Sequence, residues 1–201
     1  RYVGIPVYDK DHKPYKIMGK TLDITGEKKN QELLEQKAER DSLTDLYNKA
    51  KMHKLVEKHI QQEDMQEGAF LIIDIDDFKS INDTYGHSVG DKVIIAIAEK
   101  LQKSCRDKDV IFRLGGDEFA MFMTGMVEQK AAERFFERLF QNIRQIDRAE
   151  MQGKKIEMSL GACFYDGDEN VSFDELYRNA DSAMYQSKKK QGYSYTIYDG
   201  Q

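Results

Sequence analysis

The chain has 201 residues, 40% of them apolar and 33% charged, with a formal net charge of −5. That length suits one domain of about 150 residues and an appendage. The acidic balance argues against a nucleic-acid polymer as the partner, because a phosphate backbone calls for a basic face, but leaves room for a single nucleotide in a local cationic pocket. The two cysteines, Cys105 and Cys163, lie in apolar-periodic segments without zinc or disulfide-framework spacing, and read as reduced core thiols of a cytoplasmic protein. The longest apolar run is too short for a bilayer and no signal peptide opens the chain, so no membrane contact is expected from these residues. The first residue is Arg1 rather than Met, which reads as a fragment whose parent could itself be membrane-anchored.

In chain order, Tyr2 to Tyr8 is strand-like, Asp9-Lys10-Asp11-His12-Lys13-Pro14 is a turn, and Tyr15 to Leu22 is a second strand ending in Asp23-Ile24-Thr25-Gly26. A two-stranded hairpin is marginal by itself, so residues 1–26 are an appendage that must pack on something or fray. Residues 27–41 read as a charged helix with Leu33, Leu34 and Ala38 on one side, either a solvated linker or one strand of a parallel two-helix coil. From residue 42 the elements alternate. A helix is expected over Lys49–Glu63 and a strand over Ala69–Ile75. Val89, Val93, Ile97 and Leu101 recur at i, i+4 in a helix over Ser88–Lys103. Val110–Leu114 and Glu118–Met123 form a hairpin, and a second strong helical face runs over Val127–Ile146. Ile156 to Phe164 alternate as a strand, Ser172-x-x-Glu175 is a capping box opening a helix to about Lys190, and Tyr193–Tyr198 is a last strand. The pattern predicts an α+β domain over residues 42–201, with a mostly antiparallel central sheet flanked by helices.

The most informative stretch is Arg113-Leu114-Gly115-Gly116-Asp117-Glu118-Phe119, set between two apolar runs. A Gly-Gly pair there signals a tight turn, and it delivers two acids at the start of the returning strand. Adjacent acids on such a turn suit a hard divalent cation, and bare glycines let a phosphate approach the backbone. Further blocks surround it: Asp74-Ile75-Asp76-Asp77-Phe78-Lys79 after an apolar strand, then Asn82-Asp83, Gly86-His87 and Gly90-Asp91. Asp41-Ser42-Leu43-Thr44 lies upstream, with Met158-Ser159-Leu160-Gly161 and Ala180-Asp181-Ser182-Ala183-Met184-Tyr185 downstream. In this order and spacing, over residues 41–198, the blocks resemble the GGDEF family of diguanylate cyclases. The hairpin followed by Asp-Ile-Thr resembles the last two strands of a PAS sensor domain, and the charged helix a signalling linker.

The resemblance implies the palm-like sheet of class III nucleotide cyclases and the condensation of two GTP into cyclic di-GMP by a homodimer, each protomer holding one GTP. It implies two Mg²⁺ (or Mn²⁺) ions in each active site, with Asp74, Ile75, Asp117 and Glu118 as the metal set. Asp117 and Glu118 are the catalytic pair, Glu118 contacting the second metal or assisting deprotonation of the 3′-hydroxyl. Asn82 and Asp91 are assigned to guanine, since a carboxylate accepts both N1–H and N2–H₂. Phe78, Lys79, Gly115, Gly116 and Lys188 are assigned to the rest of the nucleotide. His87 receives no chemical role.

Two features qualify this reading. The family ending Y-x-x-K-x-x-G-R/K-N is met at Tyr185 and Lys188, but Gln191 stands at its glycine and Gly192 at its basic position. One phosphate-contacting cation is missing, with Lys189 or Lys190 as candidate substitutes. Second, Arg106-Asp107-Lys108-Asp109 is an R-x-x-D block whose placement marks an allosteric site for cyclic di-GMP in the family. An ordinary surface ion pair is the alternative there. The expected function is a diguanylate cyclase output domain; the alternative is an inactive GGDEF domain serving as a GTP or cyclic di-GMP receptor.

Overall fold

The structure, a computed structural model, describes residues 2–60, 67–146, 149–167, 171–190 and 192–200. The chain divides into two compact units, Arg1–Glu39 and Arg40–Gln201. In the first, β1 (Tyr2–Tyr8) and β2 (Pro14–Thr21) pair antiparallel. Asp9 closes their turn, its carboxylate accepting the N–H groups of Asp11 and Lys13 at 2.9 Å each. Tyr2, Ile5, Tyr15 and Ile17 are exposed, so this hairpin has no core of its own. Helix α1 (Thr25–Ala38) starts two residues earlier than the charge pattern suggests, because Asp23 accepts the Thr25 N–H at 2.9 Å. Leu34 of the expected stripe is exposed, and the side chain of Leu33 lies outside the described residues.

The second unit is a six-stranded sheet of order β3-β5-β6-β4-β7-β8, made of β3 (Tyr47–Asn48), β4 (Gly68–Ile75), β5 (Val110–Gly115), β6 (Glu118–Thr124), β7 (Met158–Tyr165) and β8 (Ser194–Ile197). The three central pairings are antiparallel, and the outer pairs β3–β5 and β7–β8 are parallel. Strand β4 lies between β6 and β7 and is buried throughout, which is why it reads as an unbroken apolar run. Its side chains alternate: Ala69, Leu71, Ile73 and Ile75 join one core cluster, Phe70 and Ile72 the other. The first face packs under α3 (Phe78–Tyr85), α4 (His87–Ser104) and α5 (Gln129–Arg144). The second packs under α2 (Lys49–Ile60) and α6 (Phe173–Lys188). Each fully buried Leu, Ile or Phe here contributes about 1.5–3 kcal/mol of transfer free energy.

Several boundaries differ from the sequence expectation, for local reasons. Helix α6 opens as expected, with Ser172 Oγ accepting the Glu175 N–H at 3.2 Å. The strand expected from Ile156 begins at Met158, although Ile156 is buried. Residues 61–63 of the expected Lys49–Glu63 helix lie outside the described residues. Helix α3 was not expected at all, so Asn82 sits on a helix rather than in a turn. Gly161 explains the Ser-Leu-Gly block: a Cβ there would strike the Ala180 carbonyl and the Met184 amide, so α6 lies directly on β7. Among the described residues, no helix is long and apolar enough to cross a membrane.

Candidate active site

Register brings the first acids together. In the β4–β6 pairing Asp74 stands opposite Glu118, and the Asp117 carbonyl accepts the Ile75 N–H at 3.3 Å. The hairpin turn is tight because Gly115 and Gly116 adopt φ of 142° and 53°, values that favour glycine. Asp74 follows Phe70 and Ile72 in the alternation, so it shares the α6 face of the sheet. Lys188, the last residue of α6, meets it there, Nζ to Oδ2 at 2.8 Å. Lys188, assigned to phosphate from the sequence, thus pairs with Asp74 in the structure.

The electrostatics follow from this crowding. Burial, ahead of the charges of Asp117 and Glu118, pushes the Asp74 carboxyl up to about 6, although the Lys188 hydrogen bond opposes it. For Lys188, burial is the largest effect and works to lower its pKa, yet the hydrogen bond and charge of Asp74, with the charges of Asp117 and Asp76, raise it overall. Burial also raises Asp76, whose Oδ1 accepts the Ser159 hydroxyl at 2.8 Å. The site therefore carries more carboxylate than one ammonium neutralises, and its donors are hard oxygens, the chemistry that Mg²⁺ or Mn²⁺ prefers. Asp74, Asp117 and Glu118 are neighbours rather than a formed cage: among the described residues, no group of three His, Cys, Asp or Glu side chains is set to hold an ion.

Beyond Asp74 the chain turns sharply. Asp77 is in the left-handed region at φ 54°, and the Ser80 N–H bonds back to its carbonyl at 3.0 Å. This turn opens α3, with Phe78 and Lys79 in its first turn, and helix-start N–H groups favour phosphate. Helices α3 and α4 meet at Gly86, and Gly90 lets them touch: a Cβ at Gly90 would fall on Asn82 Oδ1. Asp91 follows Gly90 directly, so the two residues assigned to guanine share one corner. Lys79 and Asp91 are exposed and Asn82 is half-buried.

Sequence reasoning missed several residues that the fold sets beside these acids and the turn. The Arg113 guanidinium donates to the Gly116 carbonyl from Nε (3.2 Å) and Nη2 (2.8 Å), and its Nη1 pairs with Asp41 at 2.8 Å. Asp41 also accepts the Thr44 N–H and hydroxyl at 2.9 and 2.7 Å. The Asp-Ser-Leu-Thr block thus braces the glycine turn across 72 positions, a pairing that no local pattern reveals. Lys154 reaches the first turn of α3, with Nζ 2.8 Å from Ser80 Oγ. The two proposed substitutes for the cation missing at Gly192 point elsewhere: Lys189 bonds Gln186 and lies over the Tyr185 ring, and Lys190 bonds Tyr195 O and Thr196 Oγ1. Gln191 is outside the described residues.

At the R-x-x-D block, Asp109 accepts the Arg106 N–H at 2.9 Å and the Thr124 N–H at 3.2 Å, so its carboxylate mainly holds the loop. A cavity of about 240 Å³ opens beside it, and Arg134 and Arg138 of α5 line it together with Arg106. Two arginines at i, i+4 on an amphipathic helix read as a solvated face, so only the packing of α5 discloses this cluster.

Comparison with known proteins agrees with this fold. Residues 38–194 match the family described as diguanylate cyclase, GGDEF domain. The chain is 37% identical over 172 residues to the bifunctional diguanylate cyclase/cyclic di-GMP phosphodiesterase MucR of Pseudomonas aeruginosa, covering 85% of this chain but only 25% of MucR. Its fold is similar to the GGDEF domain of TpbB (YfiN) from Pseudomonas aeruginosa, with a TM-score of 0.71 and 30% identity over 80% of this chain and 94% of that one. It is also similar to the GGDEF domain of DgcB from Caulobacter crescentus in complex with cyclic di-GMP, with a TM-score of 0.72 and 25% identity over 80% of this chain and 96% of that one. On the match, the identities and the shared fold, the chain belongs to the GGDEF domain family of diguanylate cyclases.

Proposed function

We propose that residues 40–201 are a diguanylate cyclase domain that condenses two GTP into cyclic di-GMP, and that two protomers must face each other to do so. The observation that carries this is the β4–β6 register, which sets Asp74 opposite Glu118 with Asp117 tied to Ile75 at the end of two central strands. Diguanylate cyclases generally use a divalent metal. Here Asp74, Asp117, Glu118 and the Ile75 main chain would hold it, as two Mg²⁺ (or Mn²⁺) ions. Bound there, the metal would neutralise triphosphate charge and lower the pKa of the attacking hydroxyl.

The chain's own residues supply binding and orientation. Asp91 and Asn82 take the guanine edge, the N–H groups of the turn into α3 and Lys79 take phosphate, and Arg113 keeps the glycine turn in place. The 3′-oxygen of one GTP bonds to the α-phosphorus of the other, the bond to pyrophosphate breaks, and the hydroxyl proton leaves to Glu118 or water. The same step in the opposite sense closes the ring, releasing a second pyrophosphate. Each protomer holds one GTP, so a single subunit is half of a reaction centre. Cyclic di-GMP is also read as a ligand of the cavity beside Arg106 and Asp109, with guanidinium groups facing guanine O6 and N7. Incubation with GTP and Mg²⁺, followed by chromatography of the nucleotides, tests the reading. Cyclic di-GMP and pyrophosphate are expected; unchanged GTP would refute it.

A further inference from the structure

The end of α6 leaves a deficit of positive charge. A nucleoside triphosphate brings more negative charge than Lys188 can balance, even when a metal on Asp74 frees it from the contact it makes there. Gly192 supplies no cation, and Lys189 and Lys190 are turned away from the acids. A different segment approaches the phosphate side. We propose that Lys154 is the cation that takes the missing one's place, its ammonium binding the triphosphate over the first turn of α3. This rests on the reading of the site as one for GTP.

The segment from Ala149 to Glu157 is built to present that lysine. At one end Lys92 of α4 pairs with Glu150 at 2.7 Å; at the other the Glu157 carbonyl accepts the Asp76 N–H at 2.9 Å. Met151 and Ile156 are 2% and 1% exposed and pin the segment to the core. Between them Gln152 and Gly153 reverse the chain in left-handed conformations, and the Lys154 N–H closes the turn on the Met151 carbonyl at 2.9 Å. The segment thus spans from the helix carrying Asp91 to the turn carrying Asp76 and Asp77.

The ammonium lies at the mouth of the phosphate cradle. Its Nζ donates to Ser80 Oγ at 2.8 Å and stands 3.6 Å from Asp77 Oδ2. Ser80 is the third residue of α3, on the turn whose N–H groups and positive dipole end favour phosphate. The Asp77 side chain is 72% exposed, so its hold on the ammonium is weak and exchange for a phosphate oxygen costs little. The Lys154 side chain is only 30% exposed, which strengthens its attraction for a bound anion. A strut that merely fastens the segment to α3 would show the same contacts without a ligand, and the affinity for a ligand without phosphate separates the two roles.

The experiment compares the wild type with Lys154→Met, which keeps the aliphatic stem, and Lys154→Arg, which keeps the charge. Calorimetry with 3′-deoxy-GTP and Mg²⁺ reads triphosphate binding without turnover, since the attacking hydroxyl is absent. An NMR titration with guanosine reads base binding alone. Lys154→Met should weaken 3′-deoxy-GTP binding about tenfold, equivalent to about 1.4 kcal/mol, and leave guanosine affinity within about twofold, while Lys154→Arg restores most of the loss. Wild-type affinity of Lys154→Met for 3′-deoxy-GTP would overturn the proposal, as would an equal loss for guanosine, the mark of a strut. A wild type that binds guanosine but not 3′-deoxy-GTP, or neither, would sink the GTP reading itself and this inference with it.

Discussion

Asp74→Asn should abolish turnover and at the same time stabilise the metal-free fold at neutral pH. Burial, then the neighbouring acids, lift the Asp74 carboxyl from its ordinary 3.8 to about 6, even with Lys188 at 2.8 Å. A carboxyl raised on folding binds more protons in the native than in the unfolded state between those two values. Its contribution is therefore fully present below 3.8 and is lost as pH rises through about 6. A rise of about two units corresponds to about 3 kcal/mol at 1.4 kcal/mol per unit, and solvent relaxation around a site at the end of the central strands brings the expectation nearer 2 kcal/mol. Asparagine is neutral at every pH, keeps the shape, and can still accept from Lys188. Urea denaturation in EDTA from pH 4.5 to 8 measures the effect. About a third of the gap should already be open at pH 4.5, where the unfolded carboxyl is mostly ionised, and by pH 8 the variant midpoint should lie higher by about 1 M, for a slope near 2 kcal/mol per M. Mg²⁺ should narrow the gap by stabilising only the wild type. A variant less stable than wild type at pH 8, or a gap independent of pH, would show that Lys188 fully compensates Asp74 and that the site has no unmet demand for a cation.

Four further outcomes are expected. Asp91→Ser should weaken discrimination against ATP, costing about 1.5–3 kcal/mol for GTP, because a hydroxyl cannot accept two N–H groups as a carboxylate does; an unchanged preference in GTP/ATP competition would remove Asp91 from base recognition. Arg106→Ala should relieve inhibition in progress curves with added cyclic di-GMP while leaving the initial rate intact, and equal inhibition would leave Arg106 a surface residue. Gly161→Ala should destabilise the domain by about 3 kcal/mol or prevent folding, because the new methyl meets the α6 backbone; thermal unfolding reads this. Rate per protomer should rise with protein concentration in the micromolar range, and a flat rate in a sample shown by light scattering to be monomeric would refute the two-half-site mechanism.

How much was legible depended on the range of the interaction. Alternating and i, i+4 patterns act over a few residues, so the buried strand Gly68–Ile75, the helix His87–Ser104, the capping box at Ser172 and the glycine turn at Gly115–Gly116 could all be read from the chain. The same holds for the acids at the ends of those elements, because a strand terminus and a tight turn are local features. Helix α3 was not legible: eight residues with Asn82, Asp83 and Thr84 carry weak helical preference, and it is packing of Ile81 into the core, with Gly90 admitting α4, that selects it. The partners of the acids were decided by tertiary structure alone. Register placed Glu118 opposite Asp74, the alternation of β4 turned Asp74 toward α6 and so toward Lys188, and the sheet brought Asp41 to Arg113. Lys154 and Lys190 are both ordinary basic residues in sequence, yet the first reaches Ser80 near the acids and the second turns to Tyr195. The chain determined which chemistry its residues could perform; only the fold, through long-range contacts that carry no local signature, decided which of its charges meet.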